Sequence, residues 1–303
     1  MNKETNYFIT ITRKWFYAVI ANALALVSQA QSIPPLDLYV YDPSQINPAF
    51  IGSTHRHVAH LYGSTYLGNR LQGSPQTYQI GYETFLPTLN SGVGIRMLDS
   101  RTGISSQRHI SGLYSYQREV GTGKLLAGIG VSRRVEVTDF SAYQWVDPDD
   151  PFIGPARVER KGWFTDLGAA YQYKELTIGV GVQQIAINKI VYEYDMAATR
   201  PILRGYASYE IKFNEALQLQ PSVMHAGSGG RSLTHLNAYL SILQTGLIGV
   251  SYQGTNSPLS KWRFHGGIKA FERVECLLQY VPKGRYVTAR GDLLLRMTLG
   301  KKE

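Results

Sequence analysis

The residues with the most obvious chemical reach are seven histidines, one cysteine and a short acidic run. His55, His57 and His60 form the tightest histidine group. On an extended chain His55 and His57 share a face, and two imidazoles there would be the start of a metal site. No nearby carboxylate completes it, so the group reads as a polar strand start. The other histidines are scattered, and no Gly-x-Ser-x-Gly nucleophile elbow is present. Cys276 lies in register with Val274, Leu278 and Tyr280 and reads as a small buried or lipid-facing hydrophobe rather than a nucleophile. The run Asp147-Pro148-Asp149-Asp150-Pro151-Phe152 places carboxylates at alternate positions, a pattern that suits Ca²⁺. Two prolines stiffen it and no glutamate closes it. It reads instead as a solvated or partner-contact loop, with Asp147, Asp149, Asp150 and Phe152 as contact candidates. No catalytic set, metal or cofactor is expected.

The elements that carry these residues follow from composition and pattern. The chain has 303 residues, 44% apolar and 17% charged, which excludes a disordered chain. One cysteine excludes a disulfide framework. The net charge of +9 is spread along the chain rather than gathered in a tail, so nucleic acid is not an expected partner. Residues 1–30 have the layout of a cleaved export signal: Lys3, Arg13 and Lys14, an apolar run from Trp15 to Val27, then Ser28-Gln29-Ala30. The run is too short to span a membrane as a helix. No cysteine follows the cleavage position for lipid attachment. Removing residues 1–30 leaves 273 residues (303 − 30) with net charge +7 (+9 − 2).

Beyond Gln31 the chain has a two-residue rhythm. Leu236, Ala238, Leu240 and Ile242 alternate with His235, Asn237, Tyr239 and Ser241. Tyr78, Ile80 and Tyr82 alternate with Thr77, Gln79, Gly81 and Glu83. The same period recurs near 56–65, 93–97, 110–117, 125–131, 163–173, 176–182, 203–213, 217–223, 246–252, 262–268, 274–280 and 291–299. This predicts about fourteen strands, most of 9–11 residues, the length a tilted membrane strand needs. The short links Gly121-Thr122-Gly123, Lys174-Glu175 and Asn214-Glu215 suit hairpins. Trp163, Tyr171, Tyr173, Tyr252, Trp262 and Tyr280 fall near strand ends, where an aromatic girdle would lie. The predicted fold is all-β: a transmembrane antiparallel β-barrel over 55–303, preceded by a tract at 31–54. A soluble sandwich shares the alternation, but closure is what lipid demands, because it leaves no backbone edge unpaired. The inward-facing positions read as small and weakly charged, Gly179 and Gly181 among them.

In order along the chain, several short segments carry a family likeness. Ile46-Asn47-Pro48-Ala49-Phe50-Ile51-Gly52-Ser53 follows the signal, and then Ser74-Pro75-Gln76-Thr77-Tyr78. Next come Gly92-Val93-Gly94-Ile95 with Asp99-Ser100-Arg101-Thr102-Gly103, Tyr114-Ser115-Tyr116, and Lys124-Leu125-Leu126-Ala127-Gly128-Ile129-Gly130. The acidic loop at 147–152, Leu167-Gly168-Ala169-Ala170-Tyr171, Gln220-Pro221-Ser222 and Gly249-Val250-Ser251-Tyr252 complete the series. The ordered set resembles the PorP/SprF family of type IX secretion system outer-membrane proteins of Bacteroidota. Departures include Tyr62-Gly63-Ser64-Thr65-Tyr66 in the first strand and Arg290-Gly291-Asp292 before the last.

The resemblance implies a non-catalytic outer-membrane component of the secretion or gliding machinery. Its implied partners are outer-membrane lipid and either periplasmic ring components (lipoprotein or peptidoglycan-binding) or a secreted adhesin. The 31–54 tract would be periplasmic, with Asn47, Pro48, Ala49 and Phe50 as contact candidates. It could meet a partner, plug the lumen, or merely cap the first strand. A general diffusion porin is the alternative; it would require inward charges and a constriction loop.

Overall fold

The computed structural model describes residues 37–53, 57–68, 73–141, 157–187, 200–254, 261–270, 273–283 and 289–299. The export signal and the acidic loop with Asp147, Asp149, Asp150 and Phe152 lie outside the described residues, as does His55.

Alternation becomes a closed wall. The strands are β1 (His57–Tyr66), β2 (Gln76–Leu86), β3 (Ser91–Thr102), β4 (Ser105–Val120), β5 (Gly123–Asp139), β6 (Arg157–Tyr173), β7 (Leu176–Ala186), β8 (Ile202–Tyr209), β9 (Ile211–Asn214), β10 (Leu217–Ser228), β11 (Arg231–Ile242), β12 (Gly246–Gly254), β13 (Trp262–Ala270), β14 (Val274–Val281) and β15 (Arg290–Leu299). β8 and β9 are two lengths of one wall strand, interrupted at Glu210 and both paired to β10. Each strand pairs antiparallel with its neighbours, and β1 pairs with β15 from His57↔Leu299 to Tyr66↔Arg290. The result is a closed fourteen-strand antiparallel barrel with no open edge.

The segments read from period two each contain a strand, but the lengths differ from expectation. β4, β5 and β6 run to 16, 17 and 17 residues. Their long-loop ends leave the apolar belt, so charged outward positions (Arg108, Lys161, Glu159, Arg157) break the alternation from which strand length was read. On β6, Trp163 and Tyr173 bound the outward apolar stretch. Ten residues at about 3.3 Å each, tilted about 40°, span about 25 Å, the height of an outer-membrane apolar band. Outward residues such as Ile80, Val180, Leu203, Ile248 and Leu278 form that band. Cys276 takes its place on the lipid-facing register between Val274 and Leu278.

The two rims differ. Connections at one end, Pro87–Asn90, Gly121-Thr122, Lys174-Glu175, Glu215-Ala216 and Leu243–Thr245, have two to four residues. At the other end, β5–β6 and β7–β8 are linked by segments of 17 and 15 residues. Short turns face the periplasm in outer-membrane barrels. The start of β1 and the end of β15 therefore lie on the periplasmic side.

The lumen corrects the expectation of a weakly charged interior. Glu83, Arg204, Arg263, Glu275, Arg290 and Asp292 are buried inside it, and Arg96 and Arg296 also point inward. Four of these ions form two pairs: Arg290 with Asp292 at 2.9 Å, and Arg296 with Glu275 through Nε at 2.8 Å. The glycines that suggested a bland lumen, Gly179 and Gly181, lie under the chain's own N-terminal tract.

Candidate functional site

Almost every residue of that tract from Leu38 to Gly52 is buried. It precedes β1, whose start lies on the periplasmic side, and turns through three 3₁₀ segments, Asp37–Val40, Pro43–Gln45 and Pro48–Phe50. The turns follow from local chemistry. Pro43 and Pro48 fix φ at the first position of their segments, where no N–H is needed. Asp42 and Asn47 cap them, accepting from the Ser44 and Ala49 N–H groups at 3.2 and 2.9 Å. Asp42 also accepts from Ser44 Oγ at 2.5 Å and Gln45 Nε2 at 2.6 Å.

The tract lies inside the barrel as a plug. Leu38, Tyr39, Val40, Tyr41, Ile46, Ala49, Phe50 and Ile51 are all buried, with Ala49 0% exposed. Tyr39 packs against Tyr206 and His235, and its hydroxyl accepts from Asn237 Nδ2 at 2.6 Å. Tyr41 packs against Tyr239 and His265, and its carbonyl accepts from Arg296 at 2.5 Å. Burial pushes the Tyr41 phenol above its ordinary value. For Asp42 burial alone would raise the carboxyl, but His60 and Arg96 with the Ser44 and Gln45 hydrogen bonds hold it below the ordinary range.

Asn47-Pro48-Ala49-Phe50 is the key that seats the plug. Asn47 Nδ2 donates to the Ala169 and Val180 carbonyls at 3.1 and 3.0 Å, on adjacent strands β6 and β7. Reaching wall carbonyls needs bare backbone, and inward glycines supply it. A Cβ on Gly168 would lie 1.9 Å from Asn47 Oδ1, and one on Gly128 would lie 2.3 Å from Ala49 N. A Cβ on Gly92 would lie 2.1 Å from the Ile51 carbonyl, which accepts from Ser115 Oγ at 2.6 Å. A β-bulge contributes too: on β7, Gln183 and Gln184 stand opposite Asp166 alone, and Asp166 accepts from the Gln184 N–H at 2.8 Å. Arg96 donates to Ser44 Oγ at 2.9 Å, and Gln79 Nε2 to Gln45 Oε1 at 2.8 Å.

The structure thus brings Asn47, Pro48, Ala49 and Phe50 together and places them against the barrel's own wall, inside the lumen. Of the histidine group, His60 is buried facing the plug, while His57 contacts Tyr82 and Thr84 at 2.9 Å each. Among the described residues no three His, Cys, Asp or Glu side chains are grouped to hold a metal ion. Sequence reasoning missed the seat itself. Its signal was the glycines at 92, 128 and 168, each at an inward position across from the tract.

Comparison with known proteins agrees with the barrel fold. Among solved structures, Omp33, an outer membrane protein of Acinetobacter baumannii, aligns at TM-score 0.51 and 10% identity, over 82% of this chain and 100% of its own. The Ralstonia pickettii toluene transporter TbuX aligns at TM-score 0.53 and 11% identity, over 84% and 93%. CymD, a monoaromatic hydrocarbon channel, aligns at 0.51 and 11%, over 91% and 96%. At such identities the likeness is one of fold. No curated protein sequence matches the chain. The family model for the type IX secretion system membrane protein PorP/SprF matches residues 28–279. With that match over most of a closed outer-membrane barrel, the chain belongs to the PorP/SprF family of type IX secretion system membrane proteins.

Proposed function

We propose that the protein is a non-catalytic, self-plugged fixture of the type IX machinery. It presents its periplasmic rim to ring components of the system. The carrying observation is the filled lumen: the tract at 37–53 is hydrogen-bonded to the wall on several sides, leaving the rims and outer wall as the surfaces offered to other molecules. The plug argues against the diffusion-porin alternative. The connection between β5 and β6, which carries Asp147, Asp149, Asp150 and Phe152 in sequence, would meet a secreted adhesin. Because Asn47, Pro48, Ala49 and Phe50 are engaged internally, their role in this reading is to hold the plug, and contact with a partner falls to the short turns.

Site-directed crosslinking tests the assignment. Photoreactive residues at Thr122, Lys174 and Ala216 on the short-turn rim are expected to capture periplasmic type IX components in intact cells. The same probe at Gly230, on the opposite rim, is not. Capture only from the long-loop rim, by secreted adhesins, would overturn periplasmic docking.

A further inference from the structure

The outer wall over β4–β10 is dented. Two adjoining depressions of about 500 and 490 Å³ cross it. The upper is lined by Tyr114, Ala127, Ile129, Leu167, Val180 and Leu203, and both reach Ala169 and Val180. Registers show why. Ala127 pairs Ala169 between the bulkier rows Tyr114–Ile129–Leu167 and Leu125–Tyr171–Ile178. Two alanines side by side leave a trough in a wall otherwise faced by large side chains. Toward the long-loop rim, beyond the row Tyr114–Ile129–Leu167, comes the row Gly112–Val131–Thr165, where a Cβ on Gly112 would meet nothing within 4 Å.

The next rows change character. Arg133 lies between Ile110 and Trp163, four residues or about 13 Å along the strand from Ile129. One row further stand Arg108 and Lys161, flanking Val135. All three cations are exposed on the outward face. Arg108 shares Asp99 with Arg101, at 2.9 and 3.2 Å, and Lys161 meets Glu159 at 3.2 Å. Arg157 stands opposite Asp139. Among the described residues no carboxylate pairs with Arg133. This row coincides with Trp163, at the outer-leaflet interface.

From an apolar trough that rises to a cationic interface, we propose that the wall binds one phosphate-bearing lipid of the outer leaflet. Its phosphate would sit on Arg108, Arg133 and Lys161, and an acyl chain would lie over Ala127 and Ala169. Charge complementarity selects an anionic headgroup, and the depth of the trough within the apolar belt selects a lipid over a free ion. The exposed ion pairs with Asp99 and Glu159 are worth little in water and yield to a phosphate held at the interface.

The test uses the full chain purified in mild detergent, with native mass spectrometry and lipid titration. Probes are lipid A, its dephosphorylated form and inorganic phosphate. Lipid A is expected to bind about a hundredfold more tightly than the dephosphorylated form, and millimolar phosphate is expected not to displace it. Each lost cation is expected to weaken binding about fivefold, so Arg133→Ser loses about fivefold and Arg108→Ser/Arg133→Ser/Lys161→Ser about a hundredfold. The trough-filling Ala127→Leu/Ala169→Leu variant, whose changes lie on the lipid face, is expected to lose binding while retaining heat-modifiable barrel migration. Equal binding of the two lipids would overturn the proposal. So would undiminished binding by Arg133→Ser or by the filled variant, or full displacement by inorganic phosphate.

Discussion

Replacing Gly128 by alanine should unseat the plug. The added Cβ would stand 2.3 Å from both Ala49 N and Pro48 C, against the 3.4 Å where ordinary contact begins. Both obstructing atoms are backbone, so no side-chain rotation relieves the clash. The tip must withdraw by about 1.1 Å (3.4 − 2.3). That lengthens the Asn47 bonds to Ala169 and Val180, now 3.1 and 3.0 Å, beyond hydrogen-bond range. Two net hydrogen bonds at about 1 kcal/mol each, plus at least about 1 kcal/mol of overpacking, total about 3 kcal/mol. Such a change raises the released population about 150-fold. Chymotrypsin reads it, because the tract carries Tyr39, Tyr41 and Phe50 as cleavage sites and all three are buried. When release and return are fast relative to cutting, cleavage follows the released population. Gly112→Ala, with open space around its Cβ, is the control and should match wild type. If Gly128→Ala leaves the tract as resistant as wild type, the glycine seat does not hold the plug.

Further outcomes follow from the same contacts. Asn47→Ala removes the two wall bonds and the Ala49 cap, and should raise chymotrypsin cleavage by a factor equivalent to about 3 kcal/mol. Arg296→Ala leaves Glu275 without its ion-pair partner and frees the Tyr41 carbonyl. A cost of about 3 kcal/mol or more is expected, read as a lower temperature for loss of folded-barrel migration on gels. Asp42 has a folded-state carboxyl below its ordinary value, so its contribution is fully present above about pH 4 and is lost as pH falls toward the folded value. Tract protection, read by amide hydrogen exchange corrected for its intrinsic pH dependence, should hold at pH 5 and decline below about pH 4, whereas Asp42→Asn should be weaker at pH 7 and show a smaller acid step. Val180→Arg, in the middle of the lipid-facing band, should lower stability in lipid vesicles by about 2–4 kcal/mol, measured by denaturant titration.

The strands were legible because lipid on one side and a polar interior on the other impose a strict period of two. Leu236, Ala238 and Leu240 announce their face with no tertiary information. The over-long β4, β5 and β6 were not legible at their outer ends, where Arg108, Lys161 and Glu159 face water and alternation carries no signal. The charged lumen was hidden for a different reason. Arg296 and Glu275, or Arg290 and Asp292, make sense inside only once the register pairs them, and register is a property of closure. The motif Asn47-Pro48-Ala49-Phe50 stood out as a segment apart from the strands, yet its seat is written as glycines at 92, 128 and 168. Those positions look like weak strand residues until the tract lies across them.

Single-channel conductance tests the plug most directly. The intact chain in planar bilayers should show no large, stable channels. The same barrel lacking 37–53, folded as judged by heat-modifiable migration, should conduct steadily through a fourteen-strand lumen. Large openings from the intact chain, equal to those of the shortened one, would contradict a cylinder sealed by its own leading segment.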